Sequence, residues 1–510
     1  MIASSANKLP KRCLEIVNGA MRYGKYRYIV AAVLAFNILL IYNPFITFRL
    51  HPFKLSTYRG HHEPWILSDF NLSSEEPVAL AHLHNGTGKT KPKSSPNHPT
   101  DLSLHPELGP PKRKPLLNIH NYDFNGPYVG WPLERVCNET IQIPGLVFIC
   151  DNNSGGIGNI RNFILTCIRY AIQAGASGLV VPKIQQRSDK NLSSLFTKGF
   201  KPFYYFFDEQ HFKYAMSTFC PQVVLYDEVT DIPNVSRLKQ IVDFYPKSLN
   251  IDFDGCDERG VNRHLDKFRL KFDQWLLKKN YSINSNEPAT VRLKWATFFE
   301  WPIYRDGPEF ANTFGDLLRI RSDIRQLAAA TIRELSISMG LKPNPHAIEA
   351  DFLGAHLRTE SDALSFWPKF DQQSDGYLNE AKTRKLNYIY LASGNITDSQ
   401  RFTKRAMDMH NIRVFTKNEL LRSQDEVAAL QSLSWDQQGL VDYLVLQKSK
   451  FFTGCSFSSF AMNVAVKRHS MTDGIHTRQW ISPGDKYSWL VGPFESWYGD
   501  WMFMFECLWP

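Results

Sequence analysis

The stretch GLVFICDNNSGGIGNIRNFILTCIRYAIQAGASGLVVP, residues 145–182, decides the fold class of this chain. It begins with an apolar run typical of a buried strand, residues 145–150, and a glycine-rich turn follows at residues 153–159. Residues 160–174 have the spacing of an amphipathic helix, and residues 178–182 form a second apolar run. A strand, a helix and a second strand in this order predict a right-handed crossover within a parallel sheet.

The second half of the chain repeats this alternation of apolar runs and helical patterns. Strands are predicted at residues 350–358, 386–392, 412–415 and 450–454, and helices at residues 435–447 and 458–467. The pattern predicts an α/β chain of two Rossmann-like domains with a cleft between them. We place the first domain at residues 119–345, of which residues 235–345 are mostly helical in pattern, and the second at residues 346–510.

An uncharged apolar segment, residues 28–48, is long enough to cross a bilayer and is predicted to be a transmembrane anchor. Six Lys and Arg residues against one Glu precede it, which makes residues 1–27 a cytoplasmic tail. Because no A-x-A site follows, a retained anchor is favoured over a cleaved signal peptide. Residues 49–118 are predicted to be a disordered lumenal stem, since residues 85–115 are rich in Pro, Lys, Ser and Gly.

N-glycosylation sequons agree with a lumenal position for the rest of the chain. All of them follow the apolar segment, at Asn71, Asn85, Asn138, Asn152, Asn191, Asn234, Asn280 and Asn395. The layout predicts a single-pass type II protein of the Golgi or ER membrane. Glycosyltransferases, receptors and proteases share this layout, so it indicates a compartment and not a chemistry.

The charge and the cysteines exclude two classes of partner. A formal charge of +9 over 510 residues comes with no clustered basic face, so no nucleic-acid partner is predicted. None of the eight cysteines forms a CxxC pair, which argues against a structural zinc site. In an oxidising lumen some of the seven cysteines after the apolar segment would pair, and at least one would stay free. Cys137 and Cys150 are close enough in sequence to be a plausible pair.

The segment HLRTESD, residues 356–362, places four polar side chains at the end of a predicted strand. In open α/β sheets this end of a strand faces the ligand crevice. Arg358 is suited to bind a phosphate through two parallel hydrogen bonds, and His356 shares its face of the strand. Glu360 and Asp362 are carboxylates that could orient Arg358 or act as a base.

Two glycine-containing turns offer further candidate contacts for an anionic ligand. In GGIGNIRN, residues 155–162, free N–H groups would open a helix, and the candidate contacts are Gly156, Gly158, Asn159 and Arg161. In FFTGCSFSSFAMN, residues 451–463, Ser458 and Ser459 stand where a helix begins. Simple turn formation and simple helix capping remain the alternatives for these two segments.

Weaker candidates complete the set. Asp208 lies in YYFFDEQHF with Glu209 and His211, where an acid–base or metal role is conceivable, and Asp442 is a possible nucleotide contact. The sequence Asp252-Phe253-Asp254 matches the D-x-D motif of many manganese-dependent glycosyltransferases, but a single D-x-D is common by chance. We therefore predict no metal site.

Four segments in order resemble the protein O-fucosyltransferase-like superfamily, and most closely its fungal type II membrane members. They are GGIGNIRN, HLRTESDA, IYLASG and DYLVLQKSKFFTGCSFSSFAMNVAVKRH, which span about residues 145–470. The resemblance implies a GT-B fold and an inverting, metal-independent transfer of fucose from GDP-fucose, without a cofactor, to a protein or glycan hydroxyl. The alternatives are a different nucleotide-sugar donor, or an inactive lumenal sugar-binding or scaffold protein of the same fold.

The resemblance also implies roles for individual residues. Arg358 matches the arginine that holds the diphosphate and assists its departure, His356 the histidine beside the nucleotide, and Asp362 an acidic residue near the donor. Asn159 matches the asparagine of the glycine loop, which faces donor and acceptor, and Ser458 and Ser459 match hydroxyl residues at the phosphate-binding helix. Glu360 is our candidate base, and Asp208 is the second candidate.

Two positions depart from the family pattern. Ile160 stands where the family usually has Gln, and Gly156 stands where animal enzymes acting on folded domains often have Arg. The acceptor class therefore stays open. Because the sequons Asn152 and Asn395 adjoin the predicted cleft, we predict that both remain unmodified.

Overall fold

The computed structural model describes residues 124–188, 199–238, 240–249, 264–279, 287–294, 301–344, 350–363, 367–472, 484–492 and 507–510. All of them belong to the compact unit Pro106–Pro510. The predicted tail, anchor and stem and the motif Asp252-Phe253-Asp254 lie outside the described residues. Among the helices of the described ranges, none combines the length and the apolar character needed to span a membrane.

The first half of the described chain forms a five-stranded parallel sheet in the order β5-β2-β1-β7-β6, accompanied by a two-stranded antiparallel hairpin of β3 and β4. The strands are β1 Ile143–Ile149, β2 Ala176–Val180, β3 Ile184–Gln185, β4 Phe200–Lys201, β5 Val224–Tyr226, β6 Ile241–Phe244 and β7 Ala289–Leu293. The predicted strand–helix–strand unit is therefore present, with β1 and β2 paired in parallel.

A second parallel sheet follows, with strand order β10-β9-β8-β11-β12. Its strands are β8 Ala350–His356, β9 Tyr388–Ala392, β10 Arg413–Phe415, β11 Ser449–Cys455 and β12 Ser488–Val491. The chain is thus an α/β protein with two parallel sheets, as predicted from the alternating pattern.

Helices alternate with the strands along the chain. In the described residues they are α1 Trp131–Asn138, α2 Ile157–Ala174, α3 Glu209–Phe219, α4 His264–Lys278, α5 Pro308–Thr313, α6 Ser322–Ser338, α7 Phe370–Thr383, α8 Ile396–His410, α9 Lys417–Leu420, α10 Gln424–Gln431, α11 Trp435–Gln447 and α12 Ser459–Thr472. One hydrophobic core cluster includes residues from both sheets, among them Phe148 of β1 and Phe452 of β11.

The helix after the glycine turn begins earlier than predicted and ends where predicted. Gly156 is extended, with φ −76° and ψ 167°, so α2 begins at Ile157 and not at Ile160. The helix ends before Gly175, which has φ +77°, a left-handed conformation that glycine adopts without steric cost. The helix has 18 residues and nearly all of them are buried, so it belongs to the interior of the protein.

Two strands lie within residues 235–345, a segment that was predicted to be mostly helical. β7 is an inner strand of the first sheet, between β1 and β6, and β6 is the strand at one edge. Both are short, at five and four residues. The segment is therefore part of the first sheet and not only a helical connection.

The predicted pairing of Cys137 with Cys150 is wrong. Cys137 pairs with Cys220, which ties α1 to the end of α3, and Cys150 pairs with Cys167, which ties the end of β1 to α2. Cys507 is also disulfide-bonded, and Cys455 is the free cysteine of the described part of the chain. The Cys150–Cys167 bridge closes a loop that contains the glycine turn, so it restrains the backbone there.

Candidate functional site

The carboxyl ends of β8 and β11 meet at one edge of the second sheet. His356, the last residue of β8, lies opposite Gly454 of β11 and Ala392 of β9. Arg358 lies two residues after the end of β8, and Ser458 lies three residues after the end of β11. The two predicted polar segments are therefore neighbours at the edge where ligands of open α/β sheets bind.

Arg358 is held between two carboxylates. Its Nη1 lies 2.6 Å from Oε2 of Glu360, and its Nη2 lies 2.6 Å from Oδ1 of Asp362. All three side chains are largely buried, with 14%, 8% and 15% exposure in the order Arg358, Glu360 and Asp362. The ring of Trp367 lies 5.5 Å from the guanidinium carbon, within cation–π range. The structure thus brings three of the predicted residues together.

Arg358 stays positively charged in this environment. Burial lowers the pKa of the guanidinium, but the adjacent carboxylates of Glu360 and Asp362 outweigh it, and the net pKa is raised. Since two carboxylate bonds use two of its five N–H donors, three remain for a ligand. The main chain is fixed as well, because Gln373 accepts from the N–H of Arg358 and donates to its carbonyl oxygen, both at 2.9 Å.

Glu360 is bonded through both of its oxygens. Besides Arg358, it accepts the N–H of Gly394 at 2.7 Å, in the turn after β9. A second bond joins the same two loops, since Asn395 Nδ2 donates to the carbonyl oxygen of Thr359 at 3.1 Å. This contact between the loops was not foreseen from the sequence, although IYLASG was recognised as one of the matching segments.

His356 is a buried, neutral imidazole. Burial and the nearby charge of Arg358 lower the pKa of His356 to about 3. Its ring centroid lies 4.5 Å from that of Phe460, and its Nδ1 has no hydrogen-bond partner among the described residues. A neutral ring with an unused nitrogen at the strand end can donate to or accept from a polar ligand.

We expect His356 to make the folded state less stable at acidic pH. Below pH 6.5 the unfolded chain protonates this histidine, whereas the folded chain does so only near pH 3. Stability is therefore lost as the pH falls from about 6.5 to about 3, by up to about 5 kcal/mol. Denaturant unfolding of the wild type and His356→Asn from pH 6.5 to 4 should give a shallower slope for the variant. Equal slopes in the two proteins would refute this interpretation.

The N-terminus of α2 faces the glycine turn without a side-chain cap. Gly155 has φ +91°, and no side chain of the described residues caps the helix at Gly156. The N–H of Asn159 bonds to the carbonyl oxygen of Gly156 at 3.0 Å, and its amide lies beside Gly155. The turn thus presents main-chain donors and one amide side chain, which suits an anionic or polar ligand.

The first turns of α2 and α12 touch. A Cβ atom placed on Gly158 would lie 2.8 Å from both the main-chain carbon and oxygen of Ser459. Ser458 precedes α12, is 4% exposed, and accepts the first helical bond from the N–H of Met462 at 2.9 Å. Two helix N-termini, one behind each sheet, therefore converge close to one another, and their partial positive charges add.

Arg161 does not join this group. Its Nη1 donates to the main-chain oxygen of Trp509 at 2.6 Å, its Nη2 donates to Pro510, and its side chain is 6% exposed. Asn162 holds the same segment through its amide, which accepts the N–H of Trp509 at 2.9 Å. The cation predicted as a ligand contact instead secures residues 507–510 against α2.

Asp442 and Asp208 also lie in other surroundings. Asp442 is 5% exposed and bonds to Lys417 Nζ and the Tyr390 hydroxyl, both at 2.6 Å. Asp208 caps α3 by accepting the N–H of His211 at 3.1 Å, and lies 3.5 Å from Nη2 of Arg325. Both carboxylates therefore have local structural partners, and the structure gives neither a contact with Arg358.

A polar cavity of about 380 Å³ lies beside the glycine turn. Gly155 and Tyr205 line it from the first half of the chain, and Asp436 and Gln437 from the second. Arg187 joins the two sides through an ion pair with Asp436 at 2.5 Å. The volume of this cavity is in the range of small-molecule sites. In the ranges described by the structure, no three His, Cys, Asp or Glu side chains are grouped as metal ligands.

One family model matches the chain. It is described as GDP-fucose protein O-fucosyltransferase, and it matches residues 146–471. These residues include the glycine turn, Arg358 with its two carboxylates, and the start of α12. No curated protein sequence matches the chain.

Solved structures also resemble it. POFUT1 in complex with GDP-fucose is 14% identical, with a TM-score of 0.41, and the match covers 69% of this chain and 100% of that one. The fucosyltransferase NodZ from Bradyrhizobium is 15% identical, with a TM-score of 0.31, covering 62% of this chain and 89% of that one.

Proposed function

The chain belongs to the GDP-fucose protein O-fucosyltransferase family, and from this membership we propose that it transfers fucose from GDP-fucose to a protein or glycan hydroxyl. It is a glycosyltransferase of the fucosyltransferase family. The single observation that supports the donor site is the position of Arg358, buried and charged, at the sheet edge where two helix N-termini meet. A diphosphate has the charge and the geometry that such a group recognises.

The two sheets with their helices are proposed to be the two Rossmann-like domains of a GT-B fold. The donor diphosphate would lie between Arg358 and the N-terminus of α12, with Asn159 on the opposite side. The acceptor would enter beside Gly155, where the cavity of about 380 Å³ offers polar walls.

The proposed reaction inverts the configuration at the sugar carbon that is bonded to the phosphate. The bond between that carbon and the β-phosphate oxygen breaks, and its electron pair leaves with GDP. An acceptor hydroxyl forms the new bond from the opposite face of the sugar, and its proton passes to water. Arg358 and the two helix N-termini stabilise the charge that grows on the diphosphate, so positioning and electrostatics supply most of the rate. We propose that this transfer needs no metal, which transfer assays with and without EDTA would test.

Binding of nucleotides to the purified full chain tests the donor class. Isothermal titration calorimetry should show that GDP binds, and that UDP and CMP bind more weakly or not at all. A preference for UDP would favour a different donor sugar, and no binding of any nucleotide would favour an inactive sugar-binding or scaffold protein.

We also propose that the anchor at residues 28–48 holds the enzyme in the Golgi or ER membrane, with the catalytic part in the lumen. The two disulfides Cys137–Cys220 and Cys150–Cys167 support an oxidising compartment. Protease protection of intact microsomes tests this orientation, because a lumenal catalytic part should resist digestion until the membrane is opened by detergent.

The sequons should be used unequally if this orientation is right. The Asn395 amide nitrogen donates to Thr359 and to Asp398, and its oxygen caps α8, whereas Asn138 is exposed at the end of α1. A glycan on Asn395 would break contacts that support the site. Mass spectrometry of the protein from a secretory host should find glycan at Asn138 and none at Asn395 or Asn152. Glycan at Asn395 would contradict the placement of the cleft.

A further inference from the structure

Glu360 links two loops at the donor edge of the second sheet. Its Oε2 lies 2.6 Å from Nη1 of Arg358, and its Oε1 accepts the N–H of Gly394 at 2.7 Å. Its side chain is 8% exposed. The carboxylate therefore has one partner in the loop after β8 and one in the turn after β9.

The turn at Gly394 packs closely against this carboxylate. A Cβ atom on Gly394 would lie 2.6 Å from Cζ2 of Trp435 and 2.8 Å from Oε1 of Glu360. Such distances are shorter than any ordinary contact, so the close approach of the turn depends on the absence of a side chain. The turn therefore packs closely against Trp435 of α11, and its N–H donates to the carboxylate.

The same bonds make Glu360 unsuited to be a general base. A base needs an oxygen free to reach the proton that it abstracts. Both oxygens of Glu360 accept hydrogen bonds, one from the Arg358 guanidinium and one from the main chain of Gly394. A carboxylate with both oxygens engaged in this way orders its partners.

We propose that Glu360 is a positioning residue that holds the guanidinium of Arg358 against the turn at Gly394, ready for the diphosphate. An arginine side chain has many rotamers, and fixing it before the ligand arrives lowers the cost of binding. The inference rests on the proposed function, because it assumes that Arg358 binds the diphosphate of GDP.

A double-mutant cycle on GDP binding tests the proposal. We expect Glu360→Gln to weaken GDP binding to the full chain by about tenfold or more, since the amide cannot satisfy both donors. In the Arg358→Ala background, where there is no guanidinium to position, Glu360→Gln should add less than about a twofold further loss. Glu360→Asp reaches only one partner and should restore binding in part.

Two further variants separate positioning from a general loss of folding. Gly394→Ala, which disturbs the other end of the link, should weaken GDP binding in the same direction without a change at Glu360. Glu380→Gln removes a comparable carboxylate, which pairs with Arg384 at 3.2 Å on α7, and should leave GDP binding unchanged. Thermal unfolding and near-UV circular dichroism of each variant check that it is folded.

Three outcomes would overturn the inference. The first is Glu360→Gln with normal GDP binding and a kcat lowered by a hundredfold, which would make Glu360 the base. The second is an undiminished effect of Glu360→Gln in the Arg358→Ala background. The third is Gly394→Ala with wild-type GDP affinity. Failure of the wild type to bind GDP would instead refute the proposed function, and this is measured first.

Discussion

Arg358→Ala is expected to lower kcat/KM for transfer by at least about a thousandfold, the range observed when an arginine that stabilises a departing phosphate is removed. The side chain is 14% exposed and its charge is maintained by Glu360 and Asp362. GDP affinity should fall as well, but by less than kcat/KM, because charge grows on the diphosphate in the transition state.

Arg358→Lys and Arg422→Ala are the controls for this result. Lysine keeps the charge but lacks the planar fork, so Arg358→Lys should lose nearly as much activity as the alanine variant. Arg422 is exposed in the same half of the chain, and Arg422→Ala should keep full activity. Full turnover of Arg358→Ala, measured with saturating donor, would remove Arg358 from the mechanism.

Gly158→Ala is expected to lower kcat/KM by about ten- to a hundredfold, since small displacements of a positioned group have effects of this size. The new methyl group would lie 2.8 Å from the main chain of Ser459, so the first turns of α2 and α12 must move apart. Because these turns are proposed to face the diphosphate from two sides, a displacement of either one weakens its contacts with the donor.

Gly439→Ala is the matched control for Gly158→Ala. A Cβ atom on Gly439, within α11, would contact nothing within 4 Å. This substitution should leave transfer unchanged and stabilise the helix by roughly 1 kcal/mol. Equal activity of Gly158→Ala and Gly439→Ala, measured as donor-dependent release of GDP, would show that the contact between α2 and α12 is unimportant for the reaction.

The parts of the fold that were predictable have strong local signals. Residues 145–182 combine a buried apolar run, a glycine turn and an amphipathic helix, and the structure has β1, α2 and β2 there. The strands β6 and β7 were missed, because runs of four or five residues have too little periodicity to separate them from the helical pattern around them. Their place in the first sheet depends on long-range pairing, of β7 with β1 and of β6 with β7.

The site was predictable where residues close in sequence act together. Arg358, Glu360 and Asp362 lie within five positions, and the structure joins them as two ion pairs. The partners of Arg161 and Asp442 were not predictable, since residues 507–510 and Lys417 reach them only through the tertiary fold. For the same reason Gly394 gave no sign in the sequence that it supports Glu360.

The disulfides show the same limit. Cys137 and Cys150 are 13 positions apart, yet each pairs elsewhere, with Cys220 and Cys167. A cysteine at the end of β1 meets α2 because the crossover packs the helix onto the strand. Pairing therefore follows the topology of the sheet and not the distance along the chain.

The most direct measurement of the central claim is incubation of the purified full chain with a panel of nucleotide sugars and acceptor glycoproteins or glycans. We expect GDP-fucose to be consumed with transfer of fucose and release of GDP, and Arg358→Ala to show neither. Transfer from another nucleotide sugar with GDP-fucose left intact, or full transfer by Arg358→Ala, would contradict it.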